Sequence, residues 1–124
     1  LKENILNNVV GLDFILNLKP VTYNCNFKAI DPKSQNNNIR YSGFIAQEVE
    51  QTAKKVNYDF SGVDIPKNEN DFYSLRYAEF VVPIVKSIQE QQKTIEALKL
   101  ELELQKQKNE ALEKRLKAIE EKLT

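Results

Sequence analysis

Acidic side chains cluster between residues 59 and 71, and carboxylate oxygens are the ligands that calcium prefers in proteins. An EF-hand loop needs such ligands at fixed positions around a central glycine, and the spacing here fits no such loop. The segment also contains Gly62 and Pro66, which are typical of surface turns. The sequence therefore favours a solvated loop, while ion binding there stays open. The acidic residues are Asp59, Asp64, Glu69 and Asp71.

Nucleophilic chemistry has few residues to use, because the chain contains no histidine and one cysteine. Neither a Ser-His or Cys-His pair nor a His-ligated zinc site can be assembled from it, and no intrachain disulfide can form. Cys25 lies in the stretch 21–27, where apolar and polar residues alternate. This period predicts a small apolar residue on the inner face of a strand rather than a nucleophile. We expect no metal and no cofactor.

Composition limits the partners of the chain. With 18 basic and 18 acidic residues among 124, the sequence is neutral and shows no basic face for nucleic acid. No apolar run approaches the ~20 residues of a membrane span, and no signal peptide is visible. Because the chain starts at Leu1 and lacks methionine, we expect it to be a piece of a longer protein.

The hydrophobic pattern predicts an α+β fold, with a small mixed head over 1–77 and a long helix over 78–124. Gly43 is expected to allow a close backbone approach or a bulge, and Tyr73, Leu75 and Tyr77 are expected to pack in the head or between chains. Pro83 fits only in the first turn of the long helix or at a kink. The predicted head elements are a helix over 9–19, strands over 21–27 and 40–46, a helix from Gln47 to Val56, an extended segment over 72–77, and loops over 31–38 and 59–71.

A coiled-coil seam runs along the C-terminal helix, where apolar residues repeat with alternating spacings of three and four. An isolated helix would expose this stripe to water, so the pattern predicts association with partner helices. If Val81 is position a, the predicted interface residues at positions d and a are Ile84, Ile88, Gln91, Ile95, Leu98, Leu102, Gln105, Asn109, Leu112, Leu116, Ile119 and Leu123.

Charges beside the seam favour a parallel arrangement in register, although an antiparallel one could also match several of them. Polar Gln91, Gln105 and Asn109 in the seam penalise slipped registers, because a shifted helix would bury each amide against leucine. Three g residues have a charge opposite to that of the following e residue of a parallel neighbour, in the pairs Glu101 and Lys106, Lys108 and Glu113, and Arg115 and Glu120.

Three stretches occur in a distinctive order along the chain. The first combines Leu1–Ile5 with Leu18–Tyr23, the second is Gly43–Val49, and the third is Tyr73–Tyr77, which leads through Val82 and Pro83 into a glutamine-rich helix. Together they resemble the C-terminal intramolecular chaperone domain of phage endosialidase tailspikes and related tail fibres. The resemblance covers nearly the whole chain.

This resemblance implies a folding device that releases itself. Such a domain brings three chains of a β-rich fibre into register and then cuts the chain at its own N-terminal boundary. Intertwined β trimers need this help because the entropy cost of their non-local contacts comes before the stabilisation that these contacts provide. A tether raises the effective concentration of the chains. Once the domain is released, the stability of the fibre becomes largely kinetic. The implied partners are a homotrimer and the N-terminal fibre portion of the same parent chain.

The resemblance also implies a Ser-Lys dyad, with Lys2 at the lysine position and the serine in a Ser-Asp pair just upstream of Leu1. Without the resemblance, Lys2 would read as an ordinary exposed lysine. A lysine acts as a general base only when neutral, which requires desolvation or a nearby positive charge. Because the serine would precede this sequence, we expect the chain alone to be inactive as a peptidase. Gln47 and Glu48 are predicted to lie near the cleavage site.

A second hypothesis is a permanent trimerisation module of a bacterial surface adhesin, which keeps the fold but is never released. A serine just upstream of Leu1 would favour processing, and its replacement would favour a retained anchor. A glycan-degrading enzyme is disfavoured by the size of the chain and by the lack of a persuasive carboxylate pair. The sequence leaves the origin open between a tail-fibre precursor in the host cytoplasm and a bacterial surface.

Overall fold

The computed structural model describes all 124 residues. The chain forms two compact units, Leu1–Ser87 and Ile88–Thr124. The predicted combination of a mixed α+β head and a long C-terminal helix is confirmed. None of the helices is long and apolar enough to cross a membrane. The elements are α1 (Leu12–Ile15), β1 (Val21–Tyr23), α2 (Phe27–Ile30), β2 (Tyr41–Gly43), α3 (Ala46–Lys55), β3 (Val63–Asp64), β4 (Ser74–Leu75), a 3₁₀ turn (Tyr77–Phe80) and α4 (Val81–Leu123).

The strands form two separate antiparallel pairs. In the first pair, β1 and β2 place Val21 opposite Gly43 and Tyr23 opposite Tyr41, and the two tyrosine rings stack with centroids 5.8 Å apart. In the second pair, Val63 of β3 lies opposite Leu75 of β4. The prediction that 59–71 is entirely loop is therefore wrong, because β3 lies within it. Two residues are too few to show an alternating pattern, so periodicity could not predict this strand.

The predicted strand over 21–27 ends earlier, at Tyr23, and α2 begins at Phe27. The Asn24 side chain explains the early end, because its amide nitrogen donates to the Ile39 carbonyl at 2.8 Å. This side-chain bond takes the place of a backbone ladder bond at that point. Cys25 therefore lies beyond β1 rather than within a strand, and it is half-buried.

Two other predicted elements are also shorter. The helix expected over 9–19 is reduced to the four residues of α1. Just after it, the Asn17 side chain donates to the Asp13 carbonyl at 2.6 Å and so competes with continued helical bonding. The strand expected over 40–46 is limited to β2, and the helix α3 already begins at Ala46.

The core of the head is small and aromatic. Its fully buried apolar residues are Phe14 of α1, Val49 and Ala53 of α3, and Phe80. Val49 and Ala53 are four residues apart on α3, which confirms the predicted buried face of that helix. The Phe14 ring is the centre of this core, because it has no exposed surface and contacts the Phe60 ring with centroids 4.8 Å apart.

The start of α4 packs one edge against the head. Phe80, Pro83 and Ser87 are buried, and their spacing of three and four places them on one side of the helix. Pro83 lies in the first turn of α4, as predicted, where a missing N–H is tolerated. The Ser87 hydroxyl donates to the Pro83 carbonyl at 2.8 Å, which satisfies this buried polar group. The seam residues Val81 and Ile84 lie on another side of the helix and are exposed.

We expect Phe14→Ala to destabilise the head by about 3–5 kcal/mol, because the lost ring leaves a cavity at the centre of the core. Urea unfolding followed by tyrosine emission reports the head, since all five tyrosines lie within it. Phe14→Leu should lose less. The matched control is Leu16→Ala, which removes a side chain that is 71% exposed and should change stability by under about 0.5 kcal/mol. Equal losses at both positions would contradict this account of the core.

Candidate functional site

Gly43 and Tyr77 join two of the motifs found in the sequence. The Phe44 N–H donates to the Tyr77 hydroxyl oxygen at 3.3 Å, and this oxygen lies where a Cβ on residue 43 would be. The expected close approach at Gly43 is therefore confirmed, and its partner is a side chain rather than backbone. The Tyr77 ring also stacks on Phe44 and on Phe80, with centroids 6.3 and 5.7 Å away. This contact attaches β2 to the segment that enters α4.

An aromatic groove of about 400 Å³ opens beside this contact. Phe72, Tyr77 and Ile45 remain largely exposed along it, at 64%, 47% and 46%. Gln47, which is predicted to lie near the cleavage site, is one of the residues that line the groove. The lining residues are Tyr23, Phe44, Ile45, Ala46, Gln47, Phe72, Tyr73, Ser74, Leu75 and Tyr77.

A second groove, of about 330 Å³, brings the Leu-Lys-Pro motif against α3. Leu18 and Lys19 lie on one side, and Glu48 and Val49 of α3 lie on the other. Glu48, the other residue predicted to be near the cleavage site, therefore lines a different groove from Gln47. The two side chains diverge because consecutive residues on a helix point about 100° apart.

Lys2 lies in the N-terminal segment before α1, which has no helix or strand. Its side chain is exposed and makes no hydrogen bond or ion pair with the rest of the chain. Lys2 is not among the residues that line the two grooves described above. Its predicted role as a dyad base therefore stays a prediction, as do the roles of Gln47 and Glu48.

The predicted interface residues all lie on α4, and their apolar members are exposed. Ile84, Leu98 and Leu112, for example, are 42%, 56% and 58% exposed. Gln105 and Asn109, the adjacent polar residues of the seam, are joined by a hydrogen bond from the Gln105 amide nitrogen to the Asn109 amide oxygen at 3.1 Å. The seam is thus an exposed apolar stripe that contains one hydrogen-bonded pair of polar side chains, Gln105 and Asn109.

An ion pair between Asp64 and Arg76 fixes the β3–β4 pair, and the sequence analysis missed it. The guanidinium donates twice to the carboxylate, at 2.9 and 3.0 Å, and the Arg76 N–H donates to the Gly62 carbonyl at 2.8 Å. The bond from Arg76 lowers the pKa of Asp64. The stabilisation is therefore present above the usual titration range of an aspartate and is lost as the pH falls through the lowered pKa.

These contacts also bear on the acidic loop. The Asp64 carboxylate is already paired with the Arg76 guanidinium. The Asp71 carboxylate accepts hydrogen bonds from the Lys67 and Phe72 N–H groups at 3.1 and 2.9 Å. No group of three or more His, Cys, Asp or Glu side chains is arranged to hold a metal ion. The bonds of Asp64 and Asp71 are those of a folded surface loop.

A third polar cluster, on α3, borders the aromatic groove. The Lys54 ammonium donates to the Glu50 carboxylate at 2.8 Å. This bond and the nearby Tyr73 hydroxyl lower the pKa of Glu50, while the nearby Glu50 carboxylate and burial raise the pKa of Tyr73. The Tyr73 hydroxyl therefore lies near the ion pair on α3.

We expect Gly43→Ala to destabilise the head by about 1–3 kcal/mol, because the new methyl group overlaps the Tyr77 hydroxyl. Tyr77→Phe alone loses one hydrogen bond, worth about 0.5–1.5 kcal/mol. In the double variant the hydroxyl is absent, so the combined loss should be smaller than the sum of the two. Urea unfolding of the wild type, the two single variants and the double variant gives the coupling free energy between Gly43 and Tyr77. Strict additivity would mean that Gly43 is needed for a reason other than Tyr77.

Comparison with known proteins found a family that matches most of the head. Residues 1–58 match the family model Peptidase_S74, described as the chaperone of endosialidase. The matched segment contains Lys2, both predicted near-site residues and the Leu-Lys-Pro motif. No similar protein was found among curated proteins, and no similar chain among solved structures. This match to residues 1–58 confirms the resemblance drawn from the motifs within them.

Proposed function

We propose that this chain is a folding chaperone that joins three copies of itself in parallel and holds the N-terminal fibre portions of the parent chains in register. The family match supports the chaperone role. It favours this function over a permanent adhesin module, because the matched family is described by its chaperone activity.

The observation that carries the trimer is the division of α4 between two sides. The head covers the edge formed by Phe80, Pro83 and Ser87, while the first seam residues, Val81 and Ile84, stay exposed. A head that packed on the seam would block association through it. A leucine or isoleucine contributes about 1.5–3 kcal/mol when it passes from full exposure to full burial. The apolar seam residues are roughly half-exposed in the single chain, so each contributes part of this amount, and their sum along the seam opposes the entropy cost of association.

The composition of the seam supports three chains in a single register. Position a holds both Ile88 and Leu102, and position d holds both Ile84 and Leu98, which departs from the dimer pattern of isoleucine at a and leucine at d. Within the chain, the amide nitrogen of Asn109 donates no hydrogen bond. In register, the Asn109 amides of three chains can bond to one another, whereas a slip would bury them against leucine.

Holding three chains together addresses the slow step of fibre folding. Contacts between intertwined β chains are non-local, so their entropy cost comes before their stabilisation. A coiled coil at one end turns an encounter of three chains into an intramolecular search and aligns them at the same residue. The chaperone function thus requires only association in a single register.

Sedimentation equilibrium of the chain should give three times the mass of 14.4 kDa at micromolar concentration. Leu112→Lys should reduce the mass to that of the monomer, because it places a charge in the seam. Leu104→Lys is the matched control, since Leu104 is similarly exposed on the same helix but lies outside the seam. A monomeric wild-type chain, or a trimer that survives Leu112→Lys and not Leu104→Lys, would contradict the proposal.

We further propose that Lys2 is the base that activates a serine upstream of Leu1 during self-cleavage. The family match supports this role, because Lys2 lies within it. To accept the proton of a serine hydroxyl, a lysine must be neutral, which requires desolvation or a nearby positive charge in the parent protein. In the parent protein, the cut would separate the fibre from its chaperone.

In the parent protein that includes the residues before Leu1, Lys2→Ala and Lys2→Arg should both abolish cleavage, because arginine keeps its proton. Trimer formation should persist in both variants. Denaturing gels would show two fragments for the wild type and for the control Lys19→Arg, and full-length chains for the Lys2 variants. Efficient cleavage of Lys2→Arg would exclude Lys2 as the base.

A further inference from the structure

Val82 and Val85 make the apolar surface of α4 wider at its start than along the seam. They are 52% and 48% exposed and occupy heptad positions b and e, where the seam itself does not require apolar residues. The e positions of later heptads hold Gln, Lys or Glu. The later b positions are polar as well: Gln89, Glu96, Glu103, Glu110 and Lys117.

The head of the same chain does not cover these two valines. It packs on Phe80, Pro83 and Ser87, which occupy positions g, c and g. On a helix, the g and c positions lie on one side of the a and d stripe, and the e and b positions lie on the other. Val82 and Val85 are therefore on the far side of the seam from their own head.

A parallel trimer brings a neighbouring head to that side. In such a bundle the g edge of each helix faces the e edge of the next, so residue 80 of one chain lies beside residue 85 of its neighbour. Residue 80 is Phe80, whose ring is stacked on Phe44 and Tyr77 of the head, with centroids 5.2 and 5.7 Å away. The head of one copy thus adjoins the exposed valines of another.

We infer that Val82 and Val85 of one copy pack against the head of the neighbouring copy, next to Phe80. This inference rests on the proposed parallel trimer and extends it from the coiled coil to the heads. The occupant is a second copy because the valines continue the apolar surface of Val81, Ile84 and Ile88. Each head would then be braced by its own helix on one side and by a neighbouring helix on the other.

Thiol labelling at position 82 tests the inference, because a b position is open to solvent in a plain three-stranded coil. In a Cys25→Ala background, Val82→Cys is compared with Glu103→Cys, the same heptad position lower on the helix. Both proteins are also made with Leu98→Lys and Leu112→Lys, which should dissociate the trimer. Each maleimide labelling rate in the trimer is divided by the rate of the same cysteine in the dissociated chain, and urea unfolding checks that each head is folded.

We expect Val82→Cys to react roughly tenfold or more slowly in the trimer than in the dissociated chain, because labelling then requires the contact to open. Glu103→Cys should react at the same rate in both. If sedimentation shows a trimer and the rate ratio of Val82→Cys equals that of Glu103→Cys, the contact between copies does not exist, while the proposed trimer stands. If sedimentation shows only monomer, the proposed trimer is wrong and this contact falls with it.

Discussion

The burial of Phe80 determines which side of the start of α4 packs against the head. Its ring contacts Phe44, Phe60 and Phe14 in the head, with centroids 5.2, 4.8 and 6.5 Å away. Pro83 and Ser87 follow at helical spacing, so the edge that begins at Phe80 is committed to the head. Val81 and Ile84, the first seam residues, lie on another side of this turn and are exposed. The Phe80 contact therefore closes the head and also leaves the start of the seam available.

Sequence periodicity predicted the elements that bury a regular face. The helix α3 followed from the spacing of Val49 and Ala53, and the placement of Pro83 in a first turn was also correct. The prediction failed where side-chain amides compete with the backbone, as Asn24 does at the end of β1 and Asn17 does after α1. Such competition depends on a partner carbonyl, which for Asn24 lies on a distant residue that periodicity does not identify.

The candidate site was also only partly predictable from the sequence. Gly43 could be recognised as a point of close approach, because glycine in a strand commonly marks one. Its partner Tyr77 could not, since the contact joins residues far apart in the chain. Gln47 and Glu48 are neighbours in a single motif, yet helical geometry places them on different grooves. A motif thus locates residues along the chain, whereas the direction of each side chain depends on the element that contains it.

Polar bonds hold the base of the excursion between β1 and β2. The Arg40 guanidinium donates to the Thr22 carbonyl and hydroxyl at 2.8 Å and to the Asn24 side chain at 3.0 Å. No residue between Asn24 and Arg40 belongs to the buried core. The length and outward side chains of this excursion can therefore vary without changing the volume of the core, and a longer loop adds only a slowly rising entropy cost. Heads built in this way can diversify their outer surface while one scaffold is retained.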